Sequence, residues 1–457
     1  MRIDALVAEI GSTTTVVNAF DGLDTEHPLF LGQGQGKTSV EEGDVSVGLH
    51  AAIADLKKKL SDESLSWKHF LASSSAAGGL KMTVHGLVYD MTVRAARETC
   101  LGSGGVIRYV TAGRIRRSDL KVIAEKKPNI IFLAGGTDYG ERDTALYNAE
   151  ILLRNFPGIP LIYAGNIVNQ EEIQLMADDC GAELRITENV YPALDQINTK
   201  PARDLIHRVF EEHIVHSPGM EKIRELVDGA ILPTPGAVME MAILASETLG
   251  DLMVLDIGGA TTDLHSVSDG NPDYQDFRVE AEPRAKRTVE GDLGVFVNRW
   301  HLYEKFSEEE KRLFFPDPGT EEALASLPQI PQTEEEIRLT TILARRAAEL
   351  AVRRHAGQWI HIYTGGGRQR LFKGKDLTAV RCVIGTGGAL TRLPQGRDIL
   401  SSLLSRPGGG LLLPPKEASI LIDGDYIMAS LGVLSKMWPQ AAIQLLLQSC
   451  GSGKDKN

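Results

Sequence analysis

The alternation of apolar and polar positions at the start of the chain predicts a β-meander. Apolar runs near residues 3–10, 15–20 and 28–33 are separated by short polar turns. Val47, Leu49, Ile53, Leu56 and Leu60 then recur at helical spacing. They predict a helix over about 45–60 with Asp44 as its N-cap. A strand is expected at Phe70–Ser73. From about 100 to 190 the pattern changes. Asn129-Ile-Ile-Phe-Leu-Ala134 is a continuous apolar run, the kind found in strands buried on both faces. A helix over about 142–155, a strand at 160–164, a helix at 170–180 and a strand at 182–187 follow. This order predicts a parallel sheet with right-handed crossovers, inserted into the first half of the chain.

Beyond residue 230 the pattern predicts a helix of small residues over about 237–248, opened by Pro233-Thr-Pro235-Gly236. It then predicts strands near 254–264, a strand near 275–281, a polar surface insertion at 307–333 and a strong helix over 334–354. A strand at 379–384 and a last helix starting near Asp425 complete the chain, and the tail 451–457 is expected to be disordered. The expected class is α/β with two lobes, 1–247 and 248–457.

Within this pattern one hairpin occurs twice. The first copy is Val7-Ala-Glu9-Ile-Gly11-Ser12-Thr13-Thr14-Thr15-Val. The second is Val254-Leu-Asp256-Ile-Gly258-Gly259-Ala260-Thr261-Thr262-Asp263. Each is an apolar strand, an acid, a Gly/Ser/Thr turn and a second strand. Converging backbone N–H groups in such a turn bind phosphate oxygens, and glycine lets the backbone approach. Two copies suggest two halves facing one phosphate chain. Polyphosphates carry Mg²⁺, which takes one or two carboxylates and keeps several waters. Glu9 and Asp256 are therefore the candidate catalytic acids, and Glu9, Asp256 and Asp263 the candidate Mg²⁺ residues, partly through water. Gly11, Ser12, Thr13, Thr14 and Gly258, Gly259, Ala260, Thr261, Thr262 are the candidate phosphate binders. A third turn, Gly385-Thr386-Gly387-Gly388, follows an apolar strand near the C-terminus.

Composition narrows the partners. The net charge is −12, which argues against nucleic acid or an anionic membrane, since both favour a basic face. The four cysteines have no metal-ligand spacing and imply a reduced, cytoplasmic protein.

The two hairpins resemble the phosphate motifs of the superfamily of actin, the heat-shock chaperone ATPases and the sugar kinases. Gly385–Ala389 resembles its adenosine motif, and the small-residue helices at Pro235–Ala245 and Asp425–Gly432 resemble its two connecting helices. The resemblance is closer to the MutL/GlmL accessory proteins of cobalamin-dependent mutases, nearly end to end. It includes Ser75–Gly79, Leu133–Asp138, Thr187–Val190, Pro233–Ala237, Ala285–Gly294 and Gly374–Thr378. It implies a two-lobed actin-like ATPase that binds Mg-ATP, with adenosine at Gly385, Thr386, Gly387 and Gly388. It further implies a protein partner, a mutase of the glutamate mutase or ornithine aminomutase type, whose damaged cobalamin is exchanged at the expense of ATP. Two departures stand out. Glu9 replaces the usual Asp of the first motif, and Thr234 stands where the chaperone ATPases carry a Glu. A small-molecule kinase and a non-hydrolysing nucleotide-binding scaffold are the alternatives.

Other signals carry less. Gly32-Gln-Gly-Gln-Gly36-Lys37-Thr38 lacks the glycine that a P-loop needs at position 31, which is Leu31. Asp263-Leu-His265 lacks the glycine of a cobalamin motif at Ser268. Gly135–Asp138 and Asn166 end neighbouring strands, where a ligand or partner site competes with a plain turn. Lys286 and Arg287 read as solvated surface, with an approach to phosphate as the sharper alternative. Arg345 and Arg346 are candidates to stack on adenine or to be exposed helix face, and His355 and His361 read as structural.

Overall fold

The computed structural model describes the chain except residues 12–13, 38–44, 75–79, 104, 215–219, 230, 365–366, 405–409 and 453–457. Ser12, Thr13, Asp44, the motif 75–79 and the end of the C-terminal tail thus lie outside the described residues. The chain forms two compact units. The first is Met1–Met241 with Ala429–Ala442; the second is Ala242–Met428 with Ile443–Asn457. The return of 429–442 to the first unit differs from the expected single division near 247.

In the first unit, β1 (Arg2–Ile10), β2 (Thr14–Asp21) and β3 (Leu29–Lys37) form the expected meander. β4 (Ser66–Ser74) pairs parallel with β1. The inserted sheet follows: β5 (Leu80–Gly86), β6 (Gly105–Ala112), β7 (Ile130–Leu133), β8 (Leu161–Tyr163) and β9 (Leu184–Ile186). β10 (Ile231–Pro233) then returns to pair with β4. The meander sheet has the order β10-β4-β1-β2-β3 and the inserted sheet β6-β5-β7-β8-β9. All four pairings in the inserted sheet are parallel. The insertion starts at Leu80, not near 100, because β5 is the strand that both β6 and β7 flank.

The glycines of the false P-loop have a packing role. Gly34 and Gly36 face the helix Val45–Leu60, where a Cβ would run into the backbone of Ala52 and Gly48. Alternate glycines on one strand face let that helix lie backbone-close to β3.

In the second unit, β11 (Leu252–Ile257), β12 (Thr262–Val267) and β13 (Ala285–Glu290) form an antiparallel meander. After a hairpin of β14 (Gln358–Thr364) and β15 (Gly367–Lys373), β16 (Cys382–Thr386) pairs parallel with β11 and β17 (Ser419–Ile422) with β16. The order is β13-β12-β11-β16-β17. Each unit thus carries the same core: a three-stranded meander whose first strand leads into two further parallel strands. This duplicated core is the two-lobed α/β arrangement expected from the sequence. The helix Glu334–His355, capped by a Thr333–Glu336 capping box, buries Leu339, Leu343, Ala347 and Ala351 in the core beneath β11 and β12.

The strand expected at 275–281 is a 3₁₀ helix, Pro272–Phe277, whose N-cap Asn271 accepts the Asp273 N–H. The strand comes later, at β13. The last helix is two: Met428–Leu434 and Pro439–Ser452.

Candidate functional site

The two hairpin turns close in the same way. In the first unit, Gly11 N–H donates to the Thr14 carbonyl at 3.0 Å; in the second, Gly258 N–H donates to the Thr261 carbonyl at 2.9 Å. A Cβ on Gly11 would crowd the Thr14 carbonyl. Glu9 faces Val16 across the first hairpin, and Asp256 faces Asp263 across the second. The sequence repeat is therefore also a geometric one.

The second turn is braced from behind. Val295 N–H donates to the Gly258 carbonyl, and the N–H groups of Phe296 and Val297 donate to the Gly259 carbonyl. Asn298 donates to the Ala260 carbonyl at 2.9 Å. With its carbonyls held by the 295–298 segment, the turn keeps a fixed shape. The Thr262 hydroxyl donates to the Leu293 carbonyl at 2.8 Å and is fully buried. Its hydroxyl is spent on the fold, whereas that of half-buried Thr261 makes a longer bond, to Asp263 at 3.4 Å.

Asp256 is half-buried at the end of β11. The third turn lies beside it: Thr386 pairs with Asp256 in the β11–β16 register. Gly387 has φ +83 and sits so close that a Cβ would strike the Asp256 carboxylate. Only glycine suits both demands. Gly387 also caps the short helix Gly388–Arg392. Gly385 is buried against Leu390, Leu400 and Ile422. Thr386 points its hydroxyl to buried Asp423, at 3.0 Å.

Lys286 and Arg287 are not solvated surface. Both are buried on β13, Lys286 paired with Glu282 at 2.9 Å and Arg287 with Asp263 at 2.9 Å. The neighbouring strand supplies the Asp263 carboxylate, so the guanidinium is neutralised where it stands. Asp263 also accepts from the Thr261 hydroxyl at 3.4 Å. His265, opposite Arg287 in the register, is fully buried. Burial, reinforced by the Arg287 charge, holds its imidazole well below the ordinary range, so it is neutral.

Asp256 and Asp263 are register partners on β11 and β12, so the two carboxylates lie on one face of the sheet. That donor set fits Mg²⁺, which takes few protein carboxylates and completes its shell with water and phosphate. Asp263, already paired with Arg287, suits contact through water. Among the described residues no cluster of three or more ligating side chains is present.

A cavity of about 590 Å³ is lined by Phe306, Phe314, Ile342, Arg345, Pro394 and Gln395 among others. That volume suits a small organic ligand. Arg346 also lines it but is committed: it lies 4.2 Å over the Phe306 ring and pairs with Glu310 and Glu349. His355 sits between the hydroxyls of Ser266 and Thr288, at 2.8 and 3.0 Å, a core histidine as expected.

The family model of the MutL protein matches residues 5–450. The chain belongs to the MutL protein family. Protein MutL of Clostridium tetanomorphum is 35% identical over 455 residues, covering 96% of this chain and 98% of that one. Solved structures give distant likenesses. Glycerol dehydratase reactivase is 11% identical, with 94% of this chain and 99% of that chain covered at a TM-score of 0.31. Component A of (R)-2-hydroxyglutaryl-CoA dehydratase from Acidaminococcus fermentans is 9% identical, with 98% and 99% covered at a TM-score of 0.29. Among the described residues of this MutL family member, no helix is long and apolar enough to cross a membrane.

Sequence reasoning missed Asp423 and the buried state of Arg287. Asp423 lies ahead of the helix Met428–Leu434, too far for a simple N-cap pattern. The signal for Arg287 was Asp263 on the neighbouring strand, two residues from its register partner His265 and visible only once β12 and β13 are paired.

Proposed function

We propose that this protein is a cytoplasmic ATPase that reactivates a cobalamin-dependent mutase, of the glutamate mutase or ornithine aminomutase type. The observation that carries the reading is the repeated turn, closed by the same Gly N–H bond at Gly11 and Gly258. Membership of the MutL family supports the mutase as partner.

In this reading the N–H groups of both turns, with the Ser12, Thr13 and Thr261 hydroxyls, bind the phosphates of ATP. Mg²⁺ neutralises charge on the transferring phosphoryl group. Asp256 and Glu9 would hold it, directly or through water, with Asp263 assisting through water. In the same reading Asp256 orients an attacking water. Gly387 lets the third turn approach Asp256, and the adenine base enters the cavity beside Pro394, with Arg345 rather than Arg346 free to stack on it. Nucleotide binding and hydrolysis shift the protein between arrangements that differ in affinity for the mutase, so that inactive cobalamin leaves.

The test is phosphate release from Mg-ATP, alone and with glutamate mutase carrying inactivated cobalamin. Turnover without an acceptor molecule, together with recovered mutase activity, is the expected result. Turnover that depends on a small hydroxyl compound would make the protein a kinase, and binding without turnover would make it a scaffold.

A further inference from the structure

The inserted sheet has the strand order of a doubly wound fold, and the loops at the carboxyl ends of β7, β8 and β9 share one end of it. Three apolar side chains stand out from these loops. Tyr139 is 82% exposed, Leu194 70% and Ile167 48%. Large apolar side chains in such positions, gathered on one end, mark an interaction surface.

The loops are not loose. Asn166, fully buried, accepts the N–H of Tyr139 at 3.0 Å and of Val168 at 3.1 Å. The Asp138 carboxylate accepts the Ile167 N–H at 2.9 Å and the Asn189 amide at 3.0 Å. Asp138 N–H donates to the Pro192 carbonyl, and the Tyr191 hydroxyl accepts the Asp195 N–H at 3.0 Å. Three loops are therefore stitched into one platform. Tyr139, at φ +61, is held in left-handed backbone that a tyrosine rarely adopts. A tyrosine displayed on a rigid platform suits a contact surface, because little side-chain freedom is lost on binding.

The charge around the three apolar tips is predominantly acidic. Glu141, Asp143, Glu171, Glu188 and Asp195 are exposed around them. Arg142, an exposed cation between Glu141 and Asp143, donates to buried Asn169 at 3.3 Å, and the acids outnumber it. An acidic rim excludes a nucleic acid or an anionic membrane as occupant. It also repels a second copy of itself.

We propose that this end of the inserted sheet docks the partner enzyme, through an apolar depression rimmed by Lys and Arg on the partner's surface. This rests on the reading of the protein as one that acts on a mutase. Tyr139, Leu194 and Ile167 fill the depression, and the acidic rim steers and orients the approach.

The experiment measures binding of the full-length protein to glutamate mutase carrying inactivated cobalamin, alongside ATP turnover without mutase and recovery of mutase activity. One variant combines Tyr139→Gly with Leu194→Ser. Glycine accepts the left-handed backbone, so the turn survives while the ring is lost. A second combines Glu171→Lys with Glu172→Lys, its exposed acidic neighbour. The first is expected to weaken mutase binding at least about tenfold while leaving turnover without mutase within about twofold. The second is expected to weaken binding and to flatten its dependence on salt between about 50 and 300 mM. Both variants binding as tightly as the parent would overturn the docking face and leave the proposed function standing. Binding lost in the variants, with a parent that binds but restores no activity, would overturn the reactivation reading and keep the face. A parent that does not bind the mutase would overturn both.

Discussion

The Thr386 hydroxyl donates to the Asp423 carboxylate at 3.0 Å, inside the second unit. The same carboxylate accepts the Ser449 hydroxyl and the N–H groups of Ile427 and Met428. The proposed adenosine turn and the start of the helix Met428–Leu434 thus share one buried anchor. Burial pushes the Asp423 carboxyl above its ordinary range, against the pull of these four donors. A buried acid with several donors on it is strongly specified, because losing it leaves each donor unsatisfied.

Asp423→Ala is accordingly expected to cost about 3 kcal/mol or more, by analogy with other buried networks. Thr386→Val removes one donor, keeps the side-chain shape, and should cost about 1–2 kcal/mol. Urea unfolding followed by tryptophan fluorescence measures both. Equal, small losses for the two variants would show that Asp423 is not the anchor described.

Adjacent glycines give a sharper contrast. Gly387→Ala places a methyl group against the Asp256 carboxylate and the Ile257 backbone at a φ that alanine resists. At Gly388 a Cβ meets nothing within 4 Å, and the residue is already helical. Gly387→Ala should lower ATP affinity at least about tenfold, whereas Gly388→Ala should hold it within about twofold and leave stability unchanged or raised by up to about 1 kcal/mol. Titration with a fluorescent ATP analogue separates the two. Similar affinities for both variants would place the nucleotide away from the third turn.

The features legible in the sequence are those where local chemistry has one solution. Gly11 and Gly258 mark tight turns, each closed by its N–H on the carbonyl three residues on, and at Gly11 the chain leaves no room for a Cβ. The period-two and period-3.6 patterns found the meander, the helix Val45–Leu60 and the helix Glu334–His355. What was hidden depends on pairing between distant segments. Lys286 and Arg287 look like surface until Glu282 and Asp263 are brought beside them. The strand expected at 275–281 has apolar residues in roughly the right places, but Asn271 and Pro272 start a 3₁₀ turn instead. Leu80 starts the inserted sheet because β5 is needed at its centre, and no local pattern announces that.

The Arg287–Asp263 pair can be tested as a cycle. Arg287 is 2% exposed, so Arg287→Met leaves Asp263 as a charge without its guanidinium. The expected loss is about 3–5 kcal/mol. Adding Asp263→Leu removes the orphaned charge and should recover most of that stability, since apolar replacement of a whole buried pair is often neutral. ATP turnover should not return in the double variant if Asp263 serves Mg²⁺. A double variant as unstable as Arg287→Met alone would mean that packing of the guanidinium, not its charge, is what counts.

Acid should weaken the first unit through His207. This imidazole lies under Gly236, at the start of the helix Thr234–Leu249, with Nε2 3.2 Å from the Ser103 carbonyl. Burial pushes its pKa down to about 4, with Arg203 and Lys436 acting in the same direction and Glu240 opposing them. The unfolded chain titrates near the ordinary value of about 6.5. Between those two values the unfolded state binds a proton that the folded state refuses. Stability therefore falls as pH falls through that window, and the loss is complete below about pH 4. Its size is on the order of 3 kcal/mol. His207→Gln keeps a donor for Ser103 and cannot titrate, so its unfolding midpoint should drop less than the parent's between pH 7 and pH 4.5. His85, pushed to about 3 by burial, adds to the same slope in both proteins and cancels in the comparison. Parallel acid curves for parent and variant would mean that His207 already accepts a proton in the folded protein.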